Sequence, residues 1–355
     1  MSKRESGLDL LRCFATFLVV LAHSYLTNGY TITPQVGISM WLAGSFRLMG
    51  YCSVGIFLML SGYLQCRKTD WQSCYRGLPT VLMSYFIASA ICIPIRHFVF
   101  GDIQSLTTWV QRFFGYEGAY YGWYVEVYVG LVLLTPFLNV GLKHLSNKQL
   151  LGFAAVLLFL SALPGLTPWT VVPPFFVNLY PISYYVLGVI VRRVQPKIKP
   201  IFGILAALTS AFLMGAVTLL STDGYFAQAI TWSFGDLGMV VVSAGLFIGL
   251  YRTKLPQWLG KVFAFLSTGC FGAYLLSHLL DATCYKLVLP WKQDGRYLLI
   301  FLCVTLPIYI ASLFMGIGLD RISHLLLKPI NKAVGGAVTL WYKKRCSREN
   351  SEIVG

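Results

Sequence analysis

Two ionisable residues in the first apolar segment, Arg12 and His23, are spaced so that they can act together. His23 follows Arg12 by eleven positions, about three helical turns plus 20°, so on an α-helix the two share a face about 16.5 Å apart along the axis. A histidine so placed suits general-base chemistry, and an arginine suits the binding of anionic groups. A plainer interpretation stays open, in which Arg12 reaches the inner headgroups and His23 caps a buried helix end.

Other ionisable residues lie inside apolar runs, where such a side chain costs roughly 2.5–3.5 kcal/mol near the bilayer centre on insertion scales. Glu126 follows Trp123 by three positions and is expected in the outer half of the fourth helix, at a depth similar to that of His23. A carboxylate beside a histidine is the usual orienting partner of a general base. The alternative for Glu126 is a structural salt bridge with Arg47.

Three polar residues of later segments complete the candidates, Asp236, His278 and Asp281. Both aspartates are expected close enough to helix ends to reach interfacial water, which is their plainer interpretation. For His278, near the middle of its predicted helix, the plainer interpretation is a hydrogen bond between helices. The functional alternative for Asp236 and His278 is contact with a polar substrate.

The composition requires a membrane environment for much of the chain. Hydrophobic residues make up 57% of the 355 residues and charged residues only 12%, which is more apolar side chain than one soluble core buries. The first apolar run contains three ionisable side chains and is followed by no small-residue cleavage site, so we expect a retained helix and not a signal peptide. The composition therefore predicts an all-α membrane protein.

The basic charge and the cysteines exclude other classes of function. The net charge is +15, but nucleic-acid binding needs a basic face on a soluble domain, and no segment is long and polar enough to form one. The nine cysteines are scattered singly, without a CxxC pair or a His/Cys ligand spacing. We therefore predict small buried thiols, no disulfide framework and no metal site.

Apolar runs define the elements that must position the candidate residues. A helix needs about 20 apolar residues to cross a hydrocarbon core about 30 Å thick. The sequence predicts about ten such spans, at residues 8–26, 45–65, 78–99, 123–142, 149–164, 175–192, 201–220, 232–250, 264–289 and 297–318. We expect one transmembrane domain over residues 1–318 and a basic cytoplasmic tail over residues 319–355.

Lysine and arginine concentrate in alternate loops, a bias that keeps loops in the cytoplasm. If the N-terminus is cytoplasmic, the inner segments carry most of the basic residues, including Arg67, Lys68, Arg76 and the cluster in the tail. The outer segments carry only Arg47, Arg96, Arg112, Lys286, Lys292 and Arg296. This asymmetry predicts an even number of spans with both termini in the cytoplasm.

Four segments resemble, in order, those of the acyltransferase-3 family of integral membrane O-acyltransferases. LDLLRCFATFLVVLAH, from Leu8 to His23, has the family's hallmark of an Arg, ten residues and a His on the first helix. The others are SVGIFLMLSGYLQ (53–65), GWYVEVYVGLVLLTPFLN (122–139) and LSTGCFGAYLLSHLLD (266–281). The chain departs from the family where Arg76 stands alone at the start of the third helix, and where Tyr121 and Gly122 precede Trp123 in place of the His of some relatives.

The resemblance implies a donor, an acceptor and roles for the candidate residues. The donor would be cytoplasmic acyl-CoA, expected to be acetyl-CoA, with no permanently bound cofactor, and the acceptor a hydroxyl of an extracytoplasmic or lipid-linked glycan. His23 would be the general base, with its imidazole held by Glu126. The expected CoA contacts are Arg12, Arg67, Lys68 and Arg76, and the expected acceptor contacts are Arg47, Trp123, Asp236 and His278.

The resemblance also implies a location and leaves two other classes of function open. It places the chain in the inner membrane of a bacterium, in contact with the lipid bilayer, with transfer made directly or through a separate partner protein. A transporter or flippase for a lipid-linked glycan or a small solute also suits ten helices with few buried charges, although no internal repeat supports it. A non-catalytic scaffold in an envelope assembly is the third alternative.

Overall fold

The computed structural model describes residues 5–27, 37–102, 105–166, 171–221, 232–284 and 297–353 and contains no strand within them. The helices are α1 (Ser6–Thr27), α2 (Gly37–Tyr51), α3 (Ser53–Gln65), α4 (Trp71–Tyr75), α5 (Leu78–Ile95), α6 (Leu106–Phe114), α7 (Trp123–His144), α8 (Asn147–Leu166), α9 (Tyr180–Val194), α10 (Pro200–Leu220), α11 (Leu237–Leu250), α12 (Gln257–Leu266), α13 (Cys270–Leu276), α14 (His278–Cys284) and α15 (Tyr297–Ile353). A π-helical turn, Arg96–Phe100, extends α5, and 3-10 turns at Pro174–Leu179 and Ser267–Gly269 precede α9 and α13.

Within the described residues, nine helical segments are long and apolar enough to cross a membrane. They are Ser6–Tyr25, Met40–Gln65, Trp71–Phe100, Trp123–His144, Asn147–Pro164, Pro174–Val194, Pro200–Leu220, Gln257–Leu276 and Phe301–Pro329. The remaining predicted span corresponds to α11, which is apolar but has only 14 residues. The predicted all-α, multi-pass membrane protein is confirmed. The cytoplasmic location of the termini stays a prediction.

Several predicted boundaries were wrong. The second span begins at Met40 and not at residue 45. The eighth helix begins at Leu237 and not at residue 232, because the backbone N–H of Ser233 bonds to the Asp236 carboxylate in a turn that precedes it. The ninth span begins at Gln257 and its helix breaks at Ser277, while its predicted end at residue 289 lies outside the described residues. The tenth helix does not stop at residue 318.

The last helix, α15, joins the predicted transmembrane domain to the predicted tail without a break. It has 57 residues, which at 1.5 Å per residue is about 85 Å. A hydrocarbon core is only about 30 Å thick, so α15 is much longer than one span requires.

The first helix, α1, is the most enclosed of the candidate spans, with 72% of its most apolar window buried inside the protein. It packs against α2, α3, α12, α13 and α15. A helix that is apolar around most of its circumference is stable at the centre of a bundle. The part of α1 that carries Arg12 and His23 is consequently surrounded by other helices.

Close contact between α3 and α9 depends on glycines. A Cβ at Gly62 would collide with the carbonyl oxygen of Tyr185, and a Cβ at Gly188 with the carbonyl oxygen of Met59. Small residues let helix backbones approach closely in membranes, where packing is a main source of helix association. Of this closely packed pair, α3 lies directly against α1.

Candidate active site

A single cavity of about 700 Å³ follows α1 and is lined by both Arg12 and His23. Helices α1, α2, α3, α5, α7 and α13 contribute to its walls, which are mainly apolar and aromatic. This volume is within the range of pockets that hold small molecules and cofactors. A ligand inside the cavity can therefore contact residues three turns apart on the same helix.

At the Arg12 end, the guanidinium is fixed by a buried carboxylate. Arg12 Nη1 lies 2.7 Å from Asp9 Oδ1, and Ser267 Oγ donates a hydrogen bond of 3.1 Å to the same oxygen. The Asp9 side chain is 2% exposed and that of Arg12 30% exposed. Lys68 also lines this cavity. Two cations thus face the space that an anionic ligand would fill.

The other two predicted phosphate contacts flank the cavity without lining it. Arg67 and Arg76 are exposed, and each precedes a residue of the cavity wall, Lys68 and Gly77 respectively. Arg67 lies in the α3–α4 connection, which is held in place because Asn139 Nδ2 donates to the carbonyl oxygen of Lys68 at 2.6 Å, and Arg76 lies just after α4. The basic residues are therefore grouped around one side of the cavity.

At the other end, the His23 imidazole stacks on the ring of Tyr121, with ring centroids 3.3 Å apart and planes 19° apart. His23 is 8% exposed. Its Nδ1 is sealed from solvent and has no hydrogen-bond partner among the described residues. The ring of Tyr274 lies 6.1 Å away. An aromatic stack, and not a carboxylate, thus sets the plane of the imidazole.

Tyr121 joins His23 to a second polar cluster. Its hydroxyl donates to Asp281 Oδ2 at 3.1 Å and lies 3.4 Å from His278 Nδ1. His278 Nδ1 is 3.2 Å from Asp281 Oδ1, and the imidazole stacks on Tyr120 with centroids 4.0 Å apart. His278 does not lie in mid-helix as predicted. It begins α14, after the break at Ser277, and lies outside the cavity lining.

The structure does not bring Glu126 to His23. Tyr124 and Tyr128 line the cavity, whereas Glu126 is exposed and lies outside the lining. Two positions along a helix correspond to about 200° of rotation, so a carboxylate midway between two cavity-lining tyrosines points to the opposite side of α7. The predicted contact between Glu126 and the imidazole is therefore absent from this part of the structure.

The predicted acceptor residues other than His278 are divided between the cavity and its surroundings. Trp123 lines the cavity and stacks on Phe234, with centroids 5.4 Å apart. Arg47 lies outside the lining and donates from Nη2 to the hydroxyl of Tyr51, a cavity residue, at 2.9 Å. Asp236 is the N-cap residue of α11, is buried and lies outside the lining.

Sequence reasoning missed Tyr121 and the buried arginine that supports its loop. Arg96 is 2% exposed, pairs with Asp102 at 2.7 Å and donates to the carbonyl oxygens of Glu117 and Gly118 at 2.6 and 3.2 Å. Tyr121 lies between two helices, in a stretch that carries no helical periodicity. The available signal was the unusual density of glycine and tyrosine just before Trp123.

No group of three or more His, Cys, Asp or Glu side chains suited to a metal ion occurs among the described residues. The eight cysteines whose side chains are described carry free thiols, and five of them are buried. Cys303 is exposed, so the prediction of buried thiols was wrong there, because that part of α15 faces outward.

Comparison with known proteins identifies the family. A family model described as an acyltransferase domain matches residues 5–317, which include the cavity and both ends of its α1 wall. Among curated proteins and solved structures, no significant match to the chain was found. The match covers most of the chain and supports an acyltransferase activity in a membrane. The chain belongs to the acyltransferase-3 family.

Proposed function

We propose that this protein is an O-acetyltransferase of a bacterial inner membrane, which moves acetyl from cytoplasmic acetyl-CoA to a hydroxyl of an extracytoplasmic or lipid-linked glycan. The observation that carries the proposal is the cavity shared by Arg12 and His23. The two residues lie about 16.5 Å apart along α1, a separation similar to the extended pantetheine arm of a CoA thioester. Cofactor phosphates at one end and a reacting thioester at the other fit this arrangement.

The chemistry assigned to His23 is general-base catalysis. The acceptor hydroxyl oxygen attacks the thioester carbonyl carbon while the His23 imidazole takes the hydroxyl proton. An ester C–O bond forms, the C–S bond breaks, and the proton passes from the imidazolium to the departing CoA thiolate. The apolar walls support this step because they limit the access of water, which would otherwise compete as the acceptor.

Charge supports the assignment of the donor end. Arg12 and Lys68 line the cavity, and Arg67 and Arg76 flank it. Guanidinium groups bind phosphate oxygens through paired, charge-assisted hydrogen bonds. Asp9 occupies one side of the Arg12 guanidinium and leaves its other N–H groups for a ligand. In the proposal these cations bind the phosphates of CoA.

Aromatic residues support the assignment of the acceptor end. Trp123, Tyr51 and Phe234 line the same cavity as His23. Flat aromatic surfaces with a few convergent polar groups are typical of sites that orient a small organic ligand. In the proposal they hold the glycan so that one hydroxyl faces the thioester.

The test of this function measures release of free CoA. Protein purified in detergent is given acetyl-CoA and an extract of envelope glycans, and the free thiol is quantified with and without the extract. The proposal predicts CoA release that depends on both the extract and His23, with acetyl recovered on the glycan. A transporter or a scaffold would release none, and that result would contradict the proposal.

A further inference from the structure

We propose that Tyr121 is the residue that positions His23, and that Asp281 and His278 act on His23 through it. The inference rests on the proposed function, because it assumes that His23 is the base. The sequence predicted that Glu126 orients His23. In this proposal the Tyr121 ring orients it instead, by stacking on the imidazole.

The stack restricts the imidazole in the way that a general base requires. With 3.3 Å between centroids and 19° between planes, the imidazole of His23 cannot tilt towards Tyr121 without overlapping its ring. Nδ1 has no hydrogen-bond partner among the described residues, so no side chain there holds the ring from its far edge. The Tyr121 ring therefore restricts the plane of the imidazole, and with it the directions open to the imidazole nitrogens.

The position of the Tyr121 hydroxyl is fixed in turn by buried polar groups. It donates to Asp281 Oδ2 at 3.1 Å and lies 3.4 Å from His278 Nδ1. Asp281 is fully buried and lies 3.2 Å from the same His278 nitrogen, while Tyr120 covers the His278 ring. A buried carboxylate that accepts hydrogen bonds holds its donors firmly, because leaving it unsatisfied is costly.

The backbone of Tyr121 is held from two sides. On one side, Arg96 donates to the carbonyl oxygens of Glu117 and Gly118, and the Gly118 N–H donates to the hydroxyl of Tyr85 at 3.3 Å. On the other side, the Tyr274 hydroxyl of α13 donates to the carbonyl oxygen of Tyr121.

The turn itself also requires a particular residue. A Cβ at Gly122 would collide with the carbonyl oxygen of Tyr116. Glycine therefore lets the chain turn tightly just after Tyr121. These restraints on one loop residue fit a role in orientation.

A positioning role predicts an effect on turnover and not on donor binding. The Tyr121 cluster lies at the opposite end of the cavity from Arg12, so the KM for acetyl-CoA should stay unchanged. Misplacing a catalytic group by about 1 Å reduces turnover by about 10²-fold. We expect a decrease of about this size in kcat for Tyr121→Leu, and a smaller one, about 10-fold, for Tyr121→Phe, which keeps the ring but loses the hydroxyl.

The test uses the full chain in detergent, acetyl-CoA and the envelope glycan extract, with free CoA as the readout. Variants Tyr121→Leu, Tyr121→Phe, Asp281→Asn and the double variant Y121F/D281N are compared with wild type. Asp320→Asn is the matched control, because Asp320 also pairs with a histidine, His324 at 3.6 Å, but lies outside the cavity lining. Thermal unfolding of each variant separates loss of turnover from loss of folded protein.

The inference predicts that kcat falls in the order wild type, Phe, Leu, and that Tyr121→Phe and Asp281→Asn are not additive, because both break the same contact. It is overturned if kcat in these variants matches that of Asp320→Asn, if the losses follow the folded fraction, or if the two single effects add. If Tyr121→Leu does not fold, Tyr121→Phe, Asp281→Asn and Y121F/D281N are judged by the same three comparisons: with the control, with the folded fraction and for additivity.

The proposed function fails in a different way. If wild type releases no CoA, or if His23→Gln keeps wild-type turnover, then the acyltransferase mechanism is wrong. If wild type is active, His23→Gln is inactive and the Tyr121 variants behave like the control, only the positioning role is wrong.

Discussion

Arg12 and Asp9 form an ion pair of 2.7 Å on neighbouring turns of α1, with the carboxylate almost fully buried and the guanidinium facing the cavity. Asp9 also accepts a hydrogen bond from Ser267, so groups from α1 and from the 3-10 turn before α13 both contact its carboxylate. A buried carboxylate with a cationic partner is stabilised only while that partner stays charged and close. The pair therefore fixes the direction of Arg12 in the absence of ligand.

The first prediction concerns the geometry of this guanidinium. Arg12→Lys keeps the positive charge beside Asp9 but loses the planar set of N–H donors that binds phosphate in pairs. We expect the KM for acetyl-CoA to rise about tenfold, the equivalent of losing one charge-assisted hydrogen bond of about 1.4 kcal/mol, with kcat unchanged. Steady-state CoA release measures both. Lys148→Gln, which removes an exposed charge from the first turn of α8, is the control and should leave both constants at wild-type values.

The second prediction concerns the loop that carries Tyr121. Arg96→Gln removes the ion pair with Asp102 and the hydrogen bonds to two loop carbonyl oxygens. We expect the free energy of unfolding to fall by about 3 kcal/mol, since charged hydrogen bonds from a buried group are lost. Thermal unfolding in detergent measures the change, and limited proteolysis should show faster cleavage between residues 100 and 122.

Arg112→Gln is the matched control for Arg96. Arg112 is partly exposed, and its ion pairs with Asp102 and Glu117 are long, at 4.0 and 3.9 Å. Partly exposed pairs of this kind contribute about 0–1 kcal/mol. Equal destabilisation by the two variants would show that the buried contacts of Arg96 do not support the loop.

The third prediction concerns helix packing. Gly188→Val places a side chain against the carbonyl oxygen of Met59, so α3 and α9 must separate. We expect a loss of about 1–3 kcal/mol in the free energy of unfolding, as for other overpacked sites. Gly130→Val is the control, since a Cβ there meets no atom within 4 Å. Similar unfolding temperatures for the two variants would refute the close contact.

The fourth prediction concerns the acceptor. Trp123→Leu removes an indole from the cavity wall and breaks its stack on Phe234. We expect the concentration of glycan extract needed for half-maximal CoA release to rise about tenfold, since an aromatic contact contributes on the order of 1.5 kcal/mol beyond its area. The KM for acetyl-CoA should not change. Trp258→Leu, which replaces an exposed tryptophan of α12, is the control. An equal effect of that substitution would show that Trp123 has no specific role in binding the glycan.

Much of the architecture could be predicted from the sequence because hydrophobic length is a strong constraint in a membrane. The helices matched most of the predicted spans. Local hydrogen bonding shortened the eighth, the ninth broke at Ser277, and the last helix continued past its predicted end. Asp236 and Ser277 show this limit: each ends or precedes a helix inside an apolar run that hydropathy alone reads as continuous. Their effect is local backbone geometry, which an average over about 20 residues conceals.

Helical geometry predicted the relative placement of site residues only along one helix. The shared face of Arg12 and His23 follows from helical geometry alone, and both residues line one cavity. Contacts between helices do not follow from such geometry. The sequence predicted Glu126 at a depth similar to that of His23, but depth does not fix the direction in which a side chain points. Tyr121 could not be recognised because its role depends on the packing of α13 and α14 against its loop.

The most direct test follows radiolabelled acetyl from acetyl-CoA to glycan in wild type and in His23→Gln, purified side by side. Because a positioned general base contributes about 10² to 10⁴-fold, the account predicts that His23→Gln transfers at most about 1% of the wild-type label. It also predicts that acetyl-CoA still raises the unfolding temperature of the variant, since the Arg12 end is intact. Transfer by His23→Gln at the wild-type rate would contradict the account.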